Sequence, residues 1–267
     1  MLFYKDDRTR QKMKFNKKLF RKKKFWQVTV MTVITVWFAV MVFNRPDWRT
    51  ADMSSSGLAP KPEETSEAVV QVYAARTFSW RGYFSVHTWV ATKEKDAPDY
   101  TVYQVVGFYL RQRGNVIFAE KDIPDRKWYG AMPYIIQELR GEVAEQAIPK
   151  IREAAFSYPF ARYYSPWPGP NSNSFVAHII RSVPELMVEL PPNAIGKDWI
   201  EDGKIFGPSE SGTGFQISLF GLLGITVGKA EGFEVNVLGL DFGVDFLNPA
   251  IKLPLIGRVG FKDEPID

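Results

Sequence analysis

The chain has 267 residues, 45% hydrophobic and 24% charged, which are the proportions of a globular protein and exclude a wholly disordered or fibrous one. It has no cysteine and only two histidines, His87 and His178, which excludes a disulfide framework, a thiol nucleophile and a typical zinc centre; no metal or cofactor is implied. The net charge of +4 is unevenly placed: residues 1–45 hold 12 Lys+Arg against Asp6 and Asp7, leaving 22 basic and 28 acidic residues in the other 222.

Residues 1–24 form the basic arm. Residues 25–43, FWQVTVMTVITVWFAVMVF, carry no formal charge. As a helix these nineteen residues would reach about 28 Å, close to the thickness of a bilayer's hydrocarbon core. The stretch is longer than a usual signal-peptide core and no A-x-A site follows it, so an uncleaved anchor is expected. Lys17, Lys18, Arg21, Lys22, Lys23 and Lys24 precede it, so the positive-inside rule keeps the N-terminus cytoplasmic and exports the rest. The expected location is the bacterial inner membrane, single-pass, with a periplasmic C-terminal domain. The arm's expected partners are anionic lipid headgroups, not nucleic acid. Thr29, Thr32 and Thr35 offer a helix–helix contact face. Residues 44–68, rich in Pro, Ser and charge, read as a linker, and 69–262 as the exported domain.

Within that domain residues 69–75 read as a strand. Residues 83–92 alternate, with Val86, Thr88 and Val90 on one face and His87 and Trp89 on the other. After a turn at 93–98, residues 101–110 return as a second strand. That pairing sets His87 near Val106 with Gln104 on its face, or beside Tyr103 if the register slips by one. Residues 133–140 read as a short helix, followed past Gly141 by another with Val143, Ala147, Ile148, Ile151 and Ala155 as its apolar stripe and Pro149 kinking it.

Residues 166–181, PWPGPNSNSFVAHIIR, combine a rigid turn, a capping run at 171–174 and a helix. Ser172 near that helix's N-terminus reads as a cap. His178, on another helix face, reads as structural. Residues 212–246 read as one long β-hairpin with arms 215–227 and 232–246. The apolar parity shifts at Val237–Leu238, as a β-bulge would shift it. Its apolar residues are assigned to the core, with docking on a membrane surface as the alternative. The expected class is α+β, an antiparallel sheet with helices packed beside it. The run Gly224 to Ala230 is one residue too short between its glycines for a phosphate-binding loop, and no G-x-S-x-G or GxGxxG occurs.

Several stretches, VHTWVA (86–91), KWYG (127–130), WPGPNSNSF (167–175), LPPNAIGKDW (190–199), SGTG (211–214), EVNVLGL (234–240) and PAIKLPLIGRVG (249–260), resemble a bacterial family catalogued as domain of unknown function 3750, over about residues 50–260. The order of a strand histidine and a later helix N-terminus also resembles, more distantly, the circularly permuted papain-like proteins: NlpC-type peptidases, lecithin–retinol acyltransferase relatives and some lipoprotein acyltransferases. That second resemblance implies a permuted papain-like fold with Ser172 in the place of the family's cysteine, His87 as its base and Gln104 orienting the imidazole. Unlike a thiol, a serine hydroxyl stays protonated until a base removes its proton. Backbone N–H groups at Ser172 and Asn173, aided by Asn171 or Asn173, would supply an oxyanion hole. Trp128, Tyr129 and Trp167, with Tyr163 and Tyr164, would line a groove for lipid or glycan, unless they simply fill the core. Two functions stand side by side. One is a membrane-anchored hydrolase or acyltransferase acting on envelope lipid, lipoprotein or peptidoglycan peptide. The other is a non-catalytic binding or scaffold protein on an inactivated papain-like fold.

Overall fold

The computed structural model describes residues 22–40 and 47–261, and the chain forms two compact units, Met1–Asp47 and Trp48–Asp267. Most of the arm, and residues 41–43 of the expected span, lie outside the described residues. In the first unit residues 22–40 form helix α1. The hydroxyls of Thr29, Thr32 and Thr35 donate to the carbonyls of Phe25, Val28 and Met31 at 2.9, 2.8 and 2.8 Å. Each threonine thus satisfies itself on its own helix. Among the described residues no helix is long and apolar enough to cross a membrane.

The second unit begins at Trp48, so the expected linker is mostly part of the body. Asp125 accepts hydrogen bonds from the hydroxyls of Ser55 (2.7 Å) and Ser56 (3.2 Å) and the N–H groups of Leu58 (2.6 Å) and Ala59 (3.2 Å). These bonds outweigh its burial and hold its carboxyl below the ordinary range. A Pro- and Ser-rich segment looks unstructured in sequence, but here a distant carboxylate satisfies its backbone.

Five antiparallel strands form the first sheet in the order β4-β3-β2-β1-β5: β1 Val69–Arg76, β2 Val86–Lys93, β3 Thr101–Val105, β4 Ile117–Lys121 and β5 Tyr134–Arg140. A short helix, α2 (Tyr109–Arg113), links β3 to β4. Residues 133–140, expected as a helix, are the edge strand β5, paired with β1 from Val69↔Arg140 to Ala74↔Tyr134. Pairing with an open strand edge overrides the local pattern of a seven-residue run. Helices α3 (Gly141–Ser157) and α4 (Ser172–Ser182) cover one face. Val72, Val86, Val90 and Tyr103 meet Ile151 and Phe175 there. Pro149 lies inside α3, which continues past it. The other face buries Tyr73, Trp89 and Phe118 under Ala59 and Trp128.

The second sheet is a seven-stranded antiparallel meander, β12-β11-β10-β9-β8-β7-β6. Its strands are β6 Phe206–Pro208, β7 Gly214–Leu219, β8 Leu223–Gly228, β9 Gly232–Val237, β10 Leu240–Asp245, β11 Ala250–Leu253 and β12 Gly257–Gly260. The expected hairpin is therefore four strands. The parity shift at Val237–Leu238 is a turn and not a bulge: Leu238 and Gly239 have φ of 57° and 83°, and Phe220 and Gly221, which break the first arm, 53° and 66°. Two successive positive φ angles are those of a type I′ turn.

This sheet is inverted. Gln216, Ser218, Thr226, Glu234, Asn236 and Lys252 are buried, whereas Phe215, Ile217, Ile225, Val227, Phe242 and Ile251 are exposed. The core assignment of its apolar residues is thus corrected: the alternation was right and the side was reversed. The polar face closes on residues 189–198. There the Lys197 ammonium lies 2.9 Å from Glu234, 3.2 Å from Asp198, 3.3 Å from Asp241 and 3.7 Å from Glu210. Lys252 pairs with Glu189 and, at 3.2 Å, with Glu234. Burial alone would lower the Lys197 pKa, but the surrounding carboxylates raise it well above the usual value. Burial, then the neighbouring Asp198, pushes the Asp241 carboxyl well above its usual range against the pull of Lys197.

A carboxyl whose pKa is raised on folding contributes stability at low pH that is lost as pH rises toward the folded value. Asp241→Asn, which mimics the protonated acid, should therefore raise the urea midpoint relative to wild type at pH 8. The two curves should converge near pH 4.

Candidate functional site

Strand β2 carries the candidate histidine. Its pairing with β3 runs from Thr92↔Thr101 to Val90↔Tyr103 and stops there, and beyond that point Gln104 faces His87. The His87 Nε2 to Gln104 Oε1 distance is 2.9 Å. The imidazole stacks on Trp128, ring centroids 3.6 Å apart and planes 11° apart, and lies 5.7 Å from the Trp89 ring. Tyr129 stands edge-on to Trp128 at 5.1 Å. Burial lowers the His87 pKa to about 4, against the opposing hydrogen bond to Gln104. A neutral imidazole donating Nε2–H to the amide oxygen fits this setting.

The candidate nucleophile belongs to the other face. Alternation along β2 turns Thr88 toward α4, where its hydroxyl donates to Asn173 Oδ1 at 2.9 Å. His87, one residue away, points into the opposite layer. Ser172, the first residue of α4, is therefore separated from His87 by the sheet. The α4 N-terminus is also closed by its own side chains. Asn171 Oδ1 accepts the N–H groups of Asn173 (2.9 Å) and Ser174 (3.3 Å), and the Asn171 N–H donates to Ser174 Oγ at 2.7 Å. This is a capping box, and it occupies the Asn173 N–H expected in an oxyanion hole. Asn171 Nδ2 donates to the Ile195 carbonyl at 2.9 Å. Gly196, φ +101°, lets that carboxamide lie against the backbone; a Cβ there would come within 2.6 Å of Asn171 Oδ1. Asn173 Nδ2 donates to the carbonyls of Val86 (3.0 Å) and Ile195 (2.9 Å).

The expected aromatic groove also divides. Trp128 and Tyr129 stay with His87, whereas Trp167 lies at the second sheet, its indole N–H donating to the Leu238 carbonyl at 2.9 Å. Tyr164 packs against the helix-side core.

Two features went unread in sequence. His178 Nδ1 pairs with Glu201, and its Nε2 lies 3.4 Å from Ser157 Oγ. This Ser–His–Glu order does not make a triad, because the Ala154 carbonyl lies closer to the same Nε2, at 3.0 Å. Ser157 also ends α3, where carbonyls rather than N–H donors are exposed. The second feature is an open pocket of about 400 Å³ between β1, β5 and the β11–β12 turn, lined by Arg76, Tyr134, Ile136, Asn193, Ile256 and Arg258. Among the described residues no group of His, Asp and Glu is placed to hold a metal ion.

Two stability changes follow. Asn173→Ala removes one donor each from the carbonyls of Val86 and Ile195 and leaves the buried Thr88 hydroxyl without its acceptor, and should cost roughly 1–3 kcal/mol in urea unfolding, whereas Ser172→Ala should stay within about 0.5 kcal/mol. A histidine with a depressed folded pKa stabilises above its unfolded value, and that stability is lost as pH falls through the folded value. Between pH 7 and pH 4 the wild type should lose about 3 kcal/mol more than His87→Gln.

Residues 67–199 match the family model described as a protein of unknown function, DUF3750. The match is narrower than the resemblance read from the motifs. It covers the first sheet, α3, α4 and the loop through Lys197, and the second sheet lies beyond it. No curated protein and no solved structure matches the chain.

Proposed function

We propose that this chain, which belongs to the DUF3750 family, is a membrane-anchored envelope protein that acts by binding and not by catalysis. The observation that carries this reading is the alternation of β2, which turns Thr88 to the N-terminus of α4 and His87 away from it. A serine hydroxyl without a base in reach is a poor nucleophile, and here the adjoining N–H groups are engaged in the capping box. The histidine is sealed between tryptophans, where its amide partner and the stacked rings hold it as a packing element. On this reading a papain-like ancestry is retained only as a scaffold.

The anchor is the apolar stretch 25–43, with the basic arm in the cytoplasm against anionic headgroups and the body in the periplasm. The uncharged run, the lysines before it and the self-satisfied threonines of α1 support that assignment. Alkaline phosphatase fused after residue 267 should be active in cells, and a cytoplasm-dependent fluorescent fusion at the same point dark; the reverse pattern would overturn the orientation.

The binding reading is tested in a deletion strain. Ser172→Ala and His87→Gln, at wild-type abundance, should each restore the wild-type phenotype. The chain should also take no label from a serine-reactive fluorophosphonate. Loss of function in well-folded Ser172→Ala, or labelling that this variant abolishes, would replace the binding reading with the hydrolase or acyltransferase one.

A further inference from the structure

The outward face of the second sheet has the composition of a protein core. Side chains pointing out from β7 to β11 are apolar, among them Phe215, Ile217, Ile225, Phe233, Phe242 and Ile251, and their charged neighbours point inward. Together the exposed apolar side chains of this sheet and its turns present on the order of 1,500 Å² or more, several times the largest patch of an ordinary monomer.

The turns are as unusual as the face. In a meander every second turn lies at the same end, so those joining β7 to β8, β9 to β10 and β11 to β12 share one end. Their sequences are LFGLL (219–223), VLGL (237–240) and LPLIG (253–257), with no charged or polar side chain among them. A type I′ turn favours Asn, Asp or Gly at its first central position because φ must be positive there. This chain places Phe220 and Leu238 at those positions, with φ of 53° and 57°, and they are 60% and 57% exposed. Ile256, in the third turn, is 70% exposed. Bulky side chains thus occupy a strained conformation and project from the tips, where water would select polar residues. The opposite end is mixed: the exposed Lys229 of the β8–β9 turn stands at the same end as Phe246 and Leu247 of the β10–β11 turn, which are also exposed.

We infer that the outer face and apolar turn tips of the second sheet seat in the acyl-chain region of one bilayer leaflet, a membrane contact separate from the N-terminal anchor. A second copy of the chain is the competing occupant. An obligate dimer can cover about 1,000–2,500 Å² per partner, so the area of the face does not separate the two occupants; the tips do, because a copy laid on the face would leave them in water. A lipid leaflet covers both. Strands of six residues reach about 20 Å, too short to span a bilayer, which takes about 9–11 residues per strand. Open sheet edges cannot be buried deep in hydrocarbon, and the edges here are short: β6 has three residues, including Pro208, and β12 four. The sheet therefore lies on one leaflet, tips deepest and Lys229 toward the headgroups.

This inference deepens the binding reading by naming its partner. Because the chain has no cysteine, single cysteines can be placed in the full-length protein at Ile225 (face), Leu238 (tip), Lys229 (opposite end) and Glu153 (α3 surface). Each is labelled with an environment-sensitive fluorophore and reconstituted in phosphatidylglycerol–phosphatidylethanolamine vesicles containing acyl-chain nitroxide lipid. Labels at 225 and 238 should be blue-shifted and quenched at least threefold more than those at 153 and 229. Leu238→Asp with Ile256→Asp should abolish the quenching at 225 while circular dichroism stays unchanged. Equal quenching at all four positions overturns the inference. So do labels at 225 that are shielded yet unquenched and crosslink between copies, which would assign the face to a dimer. Either result leaves the binding reading standing if Ser172→Ala still complements, and a failure of Ser172→Ala leaves the lipid contact untouched.

Discussion

The Lys197 ammonium, sealed beneath the second sheet among Asp198, Glu210, Glu234 and Asp241, sets the arrangement of the C-terminal half. A charge so deeply buried is tolerable only with partners, and removing Lys197, which would leave the surrounding carboxylates uncompensated, should cost about 3–5 kcal/mol. Once β9 and β10 turn Glu234 and Asp241 toward Lys197, strand alternation leaves no choice for the rest. Phe233, Val235, Phe242 and Val244 must point the other way. Lys252 repeats the device one strand further, joining β11 to Glu189 and Glu234. The sheet is therefore fastened to the body by ions, and its apolar side chains are free to serve outside it.

The polar residues around α4 show the same economy on the first sheet. Asn171 caps the helix and reaches Ile195; Asn173 ties β2 to the loop that carries Lys197. The chain from α4 to Trp199 is thereby held in register with β2, and it delivers Lys197 and Asp198 to the second sheet. What looks in sequence like a run of catalytic or capping residues is the joint between the two sheets. The donors and acceptors of Asn171, Asn173 and Ser174 are occupied by backbone and by the hydroxyls of Thr88 and Tyr158, which leaves few for a substrate.

Much of the first sheet was legible. The alternation through β2 and the turn after it gave the His87–Gln104 pair, because both residues belong to adjacent strands with a short connection. The separation of His87 from Ser172 was not legible, since it required knowing which face of β2 meets α4. Val86, Thr88 and Val90 on one side and His87, Trp89 and Ala91 on the other are both credible interior faces, and both are buried. Strand β5 was misread for a related reason. Residues 133–140 carry too few repeats to separate a period of 2 from one of 3.6, and the vacant edge of β1 decided the matter.

The second sheet exposes a deeper limit of pattern reading. Alternation from Phe215 to Val244 reports that two faces differ; it does not report which one faces the body. Ordinary soluble proteins make the apolar side the inner one, so the core assignment follows by default. The information that reverses it lies in the polar positions. Gln216, Glu234, Asn236, Asp241, Asp245 and Lys252 include charges of both signs, and these find their complements at Glu189, Lys197, Asp198 and Arg258. A solvated face needs no such complement in a separate segment. Matching charges between LPPNAIGKDW, EVNVLGL and PAIKLPLIGRVG was therefore the available sign that the polar face was the buried one. Those three stretches contribute Lys197, Glu234 and Lys252 to one ionic core, and the apolar side chains between them are what that core leaves outside.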